Sequence, residues 1–390
     1  MRWPVLVALG GTQCVFWGIV YYAFSVLLVP MRTEWAVTDA AVAGAFSVGL
    51  AVSAALAPRV GRALDRGHGI ALLRGGALAG AALLVAWSYA SSVLALYVVW
   101  AGLGVCMAAV LYESVFALVA RAVVDPSLRL RALAGITILG GLASTLFLPL
   151  VGWGVSAVGW RSTLQGLVVL WLIAAGIQER WALSELTATA QRPSPLSIER
   201  SALPATPWQL ATPFVVTTFA GMAVTTLVVP MLVARGYAIE QAALVLAGLG
   251  IMQLPGRIWI GSARRAASAT QLLLVPIVLQ AIGTAVLSVA PSLSIAFVGV
   301  ALFGVGAGLS TVARPWVVSL LYGSASVGRV NGSIARAQGV ARAAGPLTTA
   351  ALAQAAGAWA VFAGVALLVL LTLPAARATA RRTALPRTAA

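Results

Sequence analysis

Polar positions are sparse along this chain, and they separate apolar blocks about 20 residues long, the length of helix needed to cross roughly 30 Å of hydrocarbon. Between Arg, Pro, Gly and Ser punctuation, six such blocks fill the first half: Val5–Val29, Ala40–Ala57, Ile70–Ala90, Val93–Val119, Leu133–Val158 and Leu164–Ile177. Six more follow: Pro213–Val233, Gln241–Ile260, Leu272–Ala290, Leu293–Leu321, Ile334–Ala353 and Trp359–Leu373. A chain in lipid must satisfy its backbone groups internally, so these blocks predict helices and an all-α membrane protein. Between the two sets lie Glu179, Glu185, Glu199, Arg180, Arg192, Arg200 and four prolines, which reads as a polar linker. The expected organisation is a six-helix bundle over residues 1–177, a linker over 178–210, a second bundle over 211–376 and a basic tail over 377–390.

The halves repeat at an offset of 200. Leu27-Leu28-Val29-Pro30-Met31 matches Leu227-Val228-Val229-Pro230-Met231, Gly61 matches Gly261, and Gly104-Val105 matches Gly304-Val305. Near the end the offset slips, with Pro149 against Pro346 and Trp160 against Trp359. Six spans return a copy to the side it started from, so the two copies run parallel.

Composition agrees, with 61% apolar and only 9% charged residues, against a charged share of about 25% in ordinary globular domains. The net charge of +16 does not mark a nucleic-acid surface, because every basic residue is Arg and most sit in the short gaps between blocks. Nineteen of the 25 fall on one side if the N-terminus is cytoplasmic, and only Arg32, Arg161 and Arg235 on the other. This bias predicts cytoplasmic termini. The first block is longer than a signal h-region and has no cleavage-site pattern after it, so it is expected to be span 1. Cys14 and Cys106 lie inside blocks without CxxC spacing, as small buried apolar residues do.

Between spans 2 and 3 stands Gly61-Arg62-Ala63-Leu64-Asp65-Arg66-Gly67-His68-Gly69. It resembles the Gly-x-x-x-Asp-Arg loop of the major facilitator superfamily, and with the twelve spans the resemblance covers the whole chain. In the second copy Gly256-Arg257 and Gly261 remain, but Arg265 stands where Asp65 does. Here Gly61 and Gly67 are expected to allow a tight turn. Asp65 is expected to accept from a neighbouring helix start, and Arg66 to face lipid headgroups or a carboxylate. Together they would form a gating latch; the rival reading is a solvated turn. Phe16-Trp17-Gly18 and Arg131-Ala132-Leu133-Ala134-Gly135 also resemble signatures of bacterial monocarboxylate and oxalate-formate porters, although Gln13 and Cys14 stand where that group has an acidic residue.

A charge at the bilayer centre costs at least about 2.5–3.5 kcal/mol, so ionisable residues within spans are candidate functional groups. These are Glu113 in span 4, Arg314 in span 10, and Arg336 and Arg342 in span 11. Glu113 and Arg314 hold near-equivalent places in the repeat, each roughly 12 Å inside the cytoplasmic boundary. The resemblance implies a cavity lined by spans 1, 4, 7 and 10, which would place Tyr21, Tyr22, Tyr112, Glu113, Thr217, Thr218 and Arg314 along it. Packing or helical back-bonding is the competing reading for the tyrosines and threonines, and a structural charge pair for Glu113 and Arg314. Pro149 and Gly345-Pro346 mark interrupted segments at corresponding positions.

No HExxH, GxSxG or GxxxxGK[ST] occurs and the single histidine, His68, lies in a loop, so an enzyme, a cofactor and a metal site are not expected. The expected function is secondary transport of a small organic solute, a carboxylate anion being the lead, by alternating access with a proton as coupling ion. A monomer in the bacterial cytoplasmic membrane is expected, with the lipid bilayer and the solute as partners and no nucleic acid. The alternatives are proton-coupled efflux of amphipathic drugs and a non-transporting sensor or scaffold.

Overall fold

The computed structural model describes residues 3–123, 125–184, 208–263, 268–322 and 327–384. Among them every regular element is helical. In the first half these are α1 Trp3–Trp17, a π-helical turn Gly18–Tyr22, α2 Ala23–Trp35, α3 Asp39–Asp65, α4 Gly69–Ser88, α5 Val93–Val110, α6 Tyr112–Ala122, α7 Pro126–Gly141, α8 Ala143–Ile177 and a second π-helical turn Gln178–Leu183. In the second half they are α9 Trp208–Ala234, α10 Ile239–Ala263, α11 Ala269–Val289, α12 Leu293–Tyr322, α13 Val327–Ala356, α14 Ala358–Leu370 and α15 Leu373–Ala384.

Ten stretches are long and apolar enough to cross a membrane. One of them, Arg131–Leu183, runs 53 residues and turns at Gly159, whose φ of 80° and ψ of 163° lie outside the helical region, so it supplies spans 5 and 6. Span 11 is α13, whose Arg329, Arg336, Gln338 and Arg342 lower its apolar character. The chain is therefore an integral membrane protein of twelve spans in two halves. Polar side chains start several helices. Thr38 accepts from the Ala41 N–H at 3.1 Å, Ser92 from Ala95 at 3.2 Å, and Ser268 and Gln271 form a reciprocal capping box.

The chain separates into two compact units, Met1–Glu199 with Gly236–Ala247, and Arg200–Arg235 with Gly248–Ala390. The first is built around rings. The Trp100 ring lies 5.0–5.1 Å from those of Phe24, Phe46 and Trp87, Phe24 stacks on Phe46 at 4.8 Å, and the Trp87 indole N–H reaches the Met31 sulfur at 3.3 Å. The second relies on small residues. A Cβ on Gly283 would lie 2.6 Å from the Phe303 nitrogen, and one on Gly299 would lie 2.9 Å from the Gly283 oxygen, so α11 and α12 are in backbone contact.

The expected basic tail is a helix as far as Ala384, with Thr379 and Ala380 buried against the second unit. Of the expected linker, residues 178–184 continue the helix of span 6 as a π turn, and 185–207 lie outside the described residues. Cys14 and Cys106 are buried free thiols.

Candidate functional site

Spans 1 and 4 are both interrupted in the first unit. In span 1 the chain takes one π turn, with the Ala23 N–H bonding the Gly18 carbonyl five residues back, and this turn carries Tyr21 and Tyr22. Gly18 is required there, because a Cβ would sit 2.3 Å from the ring of Phe147. Span 4 stops at Val110 and restarts at Tyr112, with Leu111 extended at φ −81° and ψ −172°. In a continuous helix the Ser114 N–H would bond Val110; here it bonds Leu111 at 3.2 Å. The freed carbonyls find side chains instead. The Gln13 amide donates to Val110 at 2.8 Å, and the Ser114 hydroxyl to Ala108 at 2.9 Å. Gln13 is fully buried on α1, so it ties the two interrupted spans together at one level.

Rings surround this level. Trp17 packs on Tyr21 at 5.1 Å and on Tyr112 at 5.2 Å, Tyr112 stacks on Phe116 at 5.0 Å, and Tyr21 meets Tyr22 at 5.0 Å. Glu113 follows in the first turn of α6, where free N–H groups favour a negative charge. It is exposed, not enclosed. A carboxylate part-way along an apolar span is too costly to face lipid, so its exposed side is a wetted one.

The second unit has a different centre. Arg314 on α12 donates through Nη1 to the Gln338 side-chain oxygen on α13. The Gln338 amide donates in turn to the Thr218 hydroxyl at 2.7 Å and to the Phe214 carbonyl at 3.1 Å, both on α9. Thr218 itself bonds Phe214 at 2.7 Å. Three helices thus fix one guanidinium, whose Nε is buried without an acceptor among the described residues. All nine carboxylate side chains of the chain belong to the first unit, and the second carries thirteen Arg and none. Arg314 therefore has no acid in its own unit.

Thr217 is buried, and its hydroxyl bonds the Pro213 carbonyl at 2.8 Å, which is helical back-bonding. Arg336 is exposed on the far side of α13 from Gln338, whereas Arg342, one turn beyond Gln338, is half-buried.

The loop after span 2 differs from its expected form. Gly61 is inside α3 with open space where a Cβ would be, so it makes no turn. The turn is at Gly67, with φ of 88°, where the Gly67 N–H bonds Leu64 at 3.0 Å and the His68 N–H bonds Ala63 at 3.0 Å in a Schellman closure. Asp65 is the last helical residue and its side chain lies outside the described residues; Arg66 is exposed.

A groove of about 670 Å³ lies elsewhere, between α1 and the end of span 6, and is lined by Val7, Val15, Ile173 and other apolar residues. It contains no ionisable group, and its lining includes no residue of the π turn in span 1 or of the break in span 4. Gln13 and Gln338 were not among the residues expected from sequence to form a site. In both cases the available signal was an amide within an otherwise apolar or small-residue helix face.

No family model matches the chain, and no curated protein matches it. Solved structures do. A bacterial homologue of the human lysosomal transporter Spinster, solved in an inward-facing and occupied conformation, is 16% identical. It matches over 97% of this chain and 95% of its own, with a TM-score of 0.66. A variant of the nucleoside transporter NupG is 12% identical over 96% of this chain and 98% of its own, with a TM-score of 0.74. The fold is the major facilitator fold: twelve spans in two parallel six-helix repeats.

Proposed function

We propose that the chain is a secondary transporter that moves a small organic anion by alternating access, with Glu113 carrying the coupling proton and Arg314 holding the anion. The observation that carries this reading is the division of charge. An exposed carboxylate sits at the interruption of span 4 in the first unit, and an oriented guanidinium without any carboxylate of its own sits in the second. A wetted carboxylate can exchange a proton with solvent, whereas Arg keeps its charge at physiological pH and presents a fork of donors suited to a carboxylate. The likeness to two transporters supports the transport part, and interrupted helices are a recurrent feature of transporter binding sites.

Uptake and counterflow in proteoliposomes test it. Glu113→Gln is expected to abolish proton-driven accumulation while leaving exchange, and Arg314→Ala to lose anion binding. If Glu113→Gln still concentrates solute, Glu113 is not the coupling group. The cluster of Trp17, Tyr21, Tyr112 and Phe116 favours a second reading, efflux of amphipathic compounds. Normal transport by Arg314→Ala would select that reading.

A further inference from the structure

Arg342 is four residues beyond Gln338 on α13, and residues so spaced lie one above the other on the same helix face. Gln338 is the residue that receives the Arg314 guanidinium. Arg342 therefore stands about one turn from the end of Arg314, close enough for the two positive charges to repel each other. The face they share is crowded by α9: Phe214 and Thr218 bond Gln338, and a Cβ on Gly345 would lie 2.3 Å from the Cβ of Met222. Gly345 lets α13 approach α9 at this level, and Pro346, which has no N–H, leaves the Arg342 carbonyl without its helical donor.

Two like charges brought together inside a bundle of spans raise each other's energy. Such an arrangement normally contains a neutralising carboxylate, but the second unit has none anywhere in its sequence. Among the described residues, neither Arg314 nor Arg342 has an ion-pair partner. Among the described residues, Arg314 keeps donors beyond the one taken by Gln338, and the Arg342 fork donates to none of them. We propose that Arg314 and Arg342 form a two-point anion site, with Gln338 setting the direction of the first guanidinium, and that the solute is an organic dianion with two carboxylates instead of a monocarboxylate. This rests on the reading of Arg314 as an anion-holding residue and adds the second charge.

The test uses the purified full-length chain in detergent and pairs of probes matched in carbon skeleton: butyrate against succinate, and benzoate against terephthalate. Calorimetric titration at pH 8, where every carboxyl group is ionised, compares wild type, Arg342→Gln, Arg342→Lys and Arg314→Gln, each first shown to be monodisperse with a cooperative thermal transition. The expected wild-type result is at least tenfold tighter binding of a dicarboxylate than of its monocarboxylate partner. Arg342→Gln should reduce that ratio to near one, Arg342→Lys should restore most of it, and Arg314→Gln should lose both members of the pair. Equal binding of mono- and dicarboxylates by wild type, or a preference that survives Arg342→Gln, overturns the two-point site while leaving an anion transporter. If wild type binds no member of either pair, the anion reading itself falls, and the dianion site with it.

Discussion

Gly104 in the first half and Gly304 in the second occupy the same place in the repeat, and in both a neighbouring helix backbone lies against the glycine. A Cβ on Gly104 would meet the Gly49 oxygen at 2.3 Å and the Val52 Cβ at 3.0 Å; one on Gly304 would meet the Leu249 oxygen at 3.0 Å and the Met252 Cβ at 3.0 Å. The contacted residues are also 200 apart, so span 2 packs on span 4 as span 8 packs on span 10. The chemistry does not repeat. Span 4 breaks at Leu111 and carries an acid, whereas α12 runs 30 residues without a break and carries Arg314. Among the described residues every ring pair is in the first half, and every carboxylate belongs to the first unit. Packing is set by small residues at fixed places. The proposed function rests on the few polar side chains that the packing leaves free to differ.

The largest effect is expected from the shared packing. Gly104→Ala gains helix propensity of about 1 kcal/mol but forces two backbones apart, and overpacking typically costs about 1–3 kcal/mol. Gly304→Ala has 0.7 Å more room at the same contact, the difference between 3.0 and 2.3 Å. Folded yield by fluorescence-detected size exclusion should fall steeply for Gly104→Ala and only mildly for Gly304→Ala. Equal losses would show that the distances in the two halves do not matter.

The two glutamines separate the halves next. Gln13 holds a backbone carbonyl at the break, whereas Gln338 holds a side chain that the solute is proposed to touch. Gln13→Met leaves the Val110 carbonyl buried without a donor, a loss of roughly 1–3 kcal/mol, partly offset because the Gln13 oxygen has no partner either. Its thermal midpoint should drop. Gln338→Met should keep a near-normal midpoint and lose anion affinity, because the Thr218 hydroxyl still bonds Phe214. A reversed outcome, with Gln338 the stability residue, would contradict the assignment of roles.

How much of this was legible in the sequence follows from where each signal lies. Apolar blocks gave all twelve spans, including Ile334–Ala353 within α13 despite its Arg336 and Arg342, and the repeat set Pro346 of that block against Pro149. Glu113 and Arg314 stood out because charges are costly in a span. The break at Leu111 left no trace, since Ala108 to Ser114 contains neither Gly nor Pro and the compensating donor lies 97 residues away at Gln13. The π turn was equally silent, because its room comes from Phe147 in span 5. Gly61 misled because a glycine within a helix and one in a turn look alike in sequence, and only the positive φ at Gly67 marks the turn.

The smallest effect concerns the span 3 to span 4 turn of the first half and its counterpart, the span 9 to span 10 turn. The Ala90 carbonyl accepts from Arg161 at 2.8 Å, and the carbonyl 200 residues on, Ala290, accepts from Arg235. The same helix end is closed by an arginine in both halves, but not by the same one. Arg161 comes from the span 5 to span 6 turn, and Arg235 follows the end of α9. Arg161 has further partners. It pairs with Glu34 at 2.8 Å, Glu34 also accepts from the Trp160 indole at 2.7 Å, and the guanidinium lies 4.1 Å above the Trp160 ring. The Arg161 and Glu34 side chains are 33% and 43% exposed, so solvent screens the pair and the whole cluster should contribute only about 1 kcal/mol. Arg161→Gln should therefore lower the thermal midpoint by a few degrees, and the loss should shrink at high salt because part of it is an ion pair. Arg235→Gln, with a carbonyl as the acceptor, should lower it less and with little salt dependence. If Arg235→Gln proves the more damaging, or equally sensitive to salt, the two ends are closed by the same physics and the halves differ less at this turn than their partners suggest.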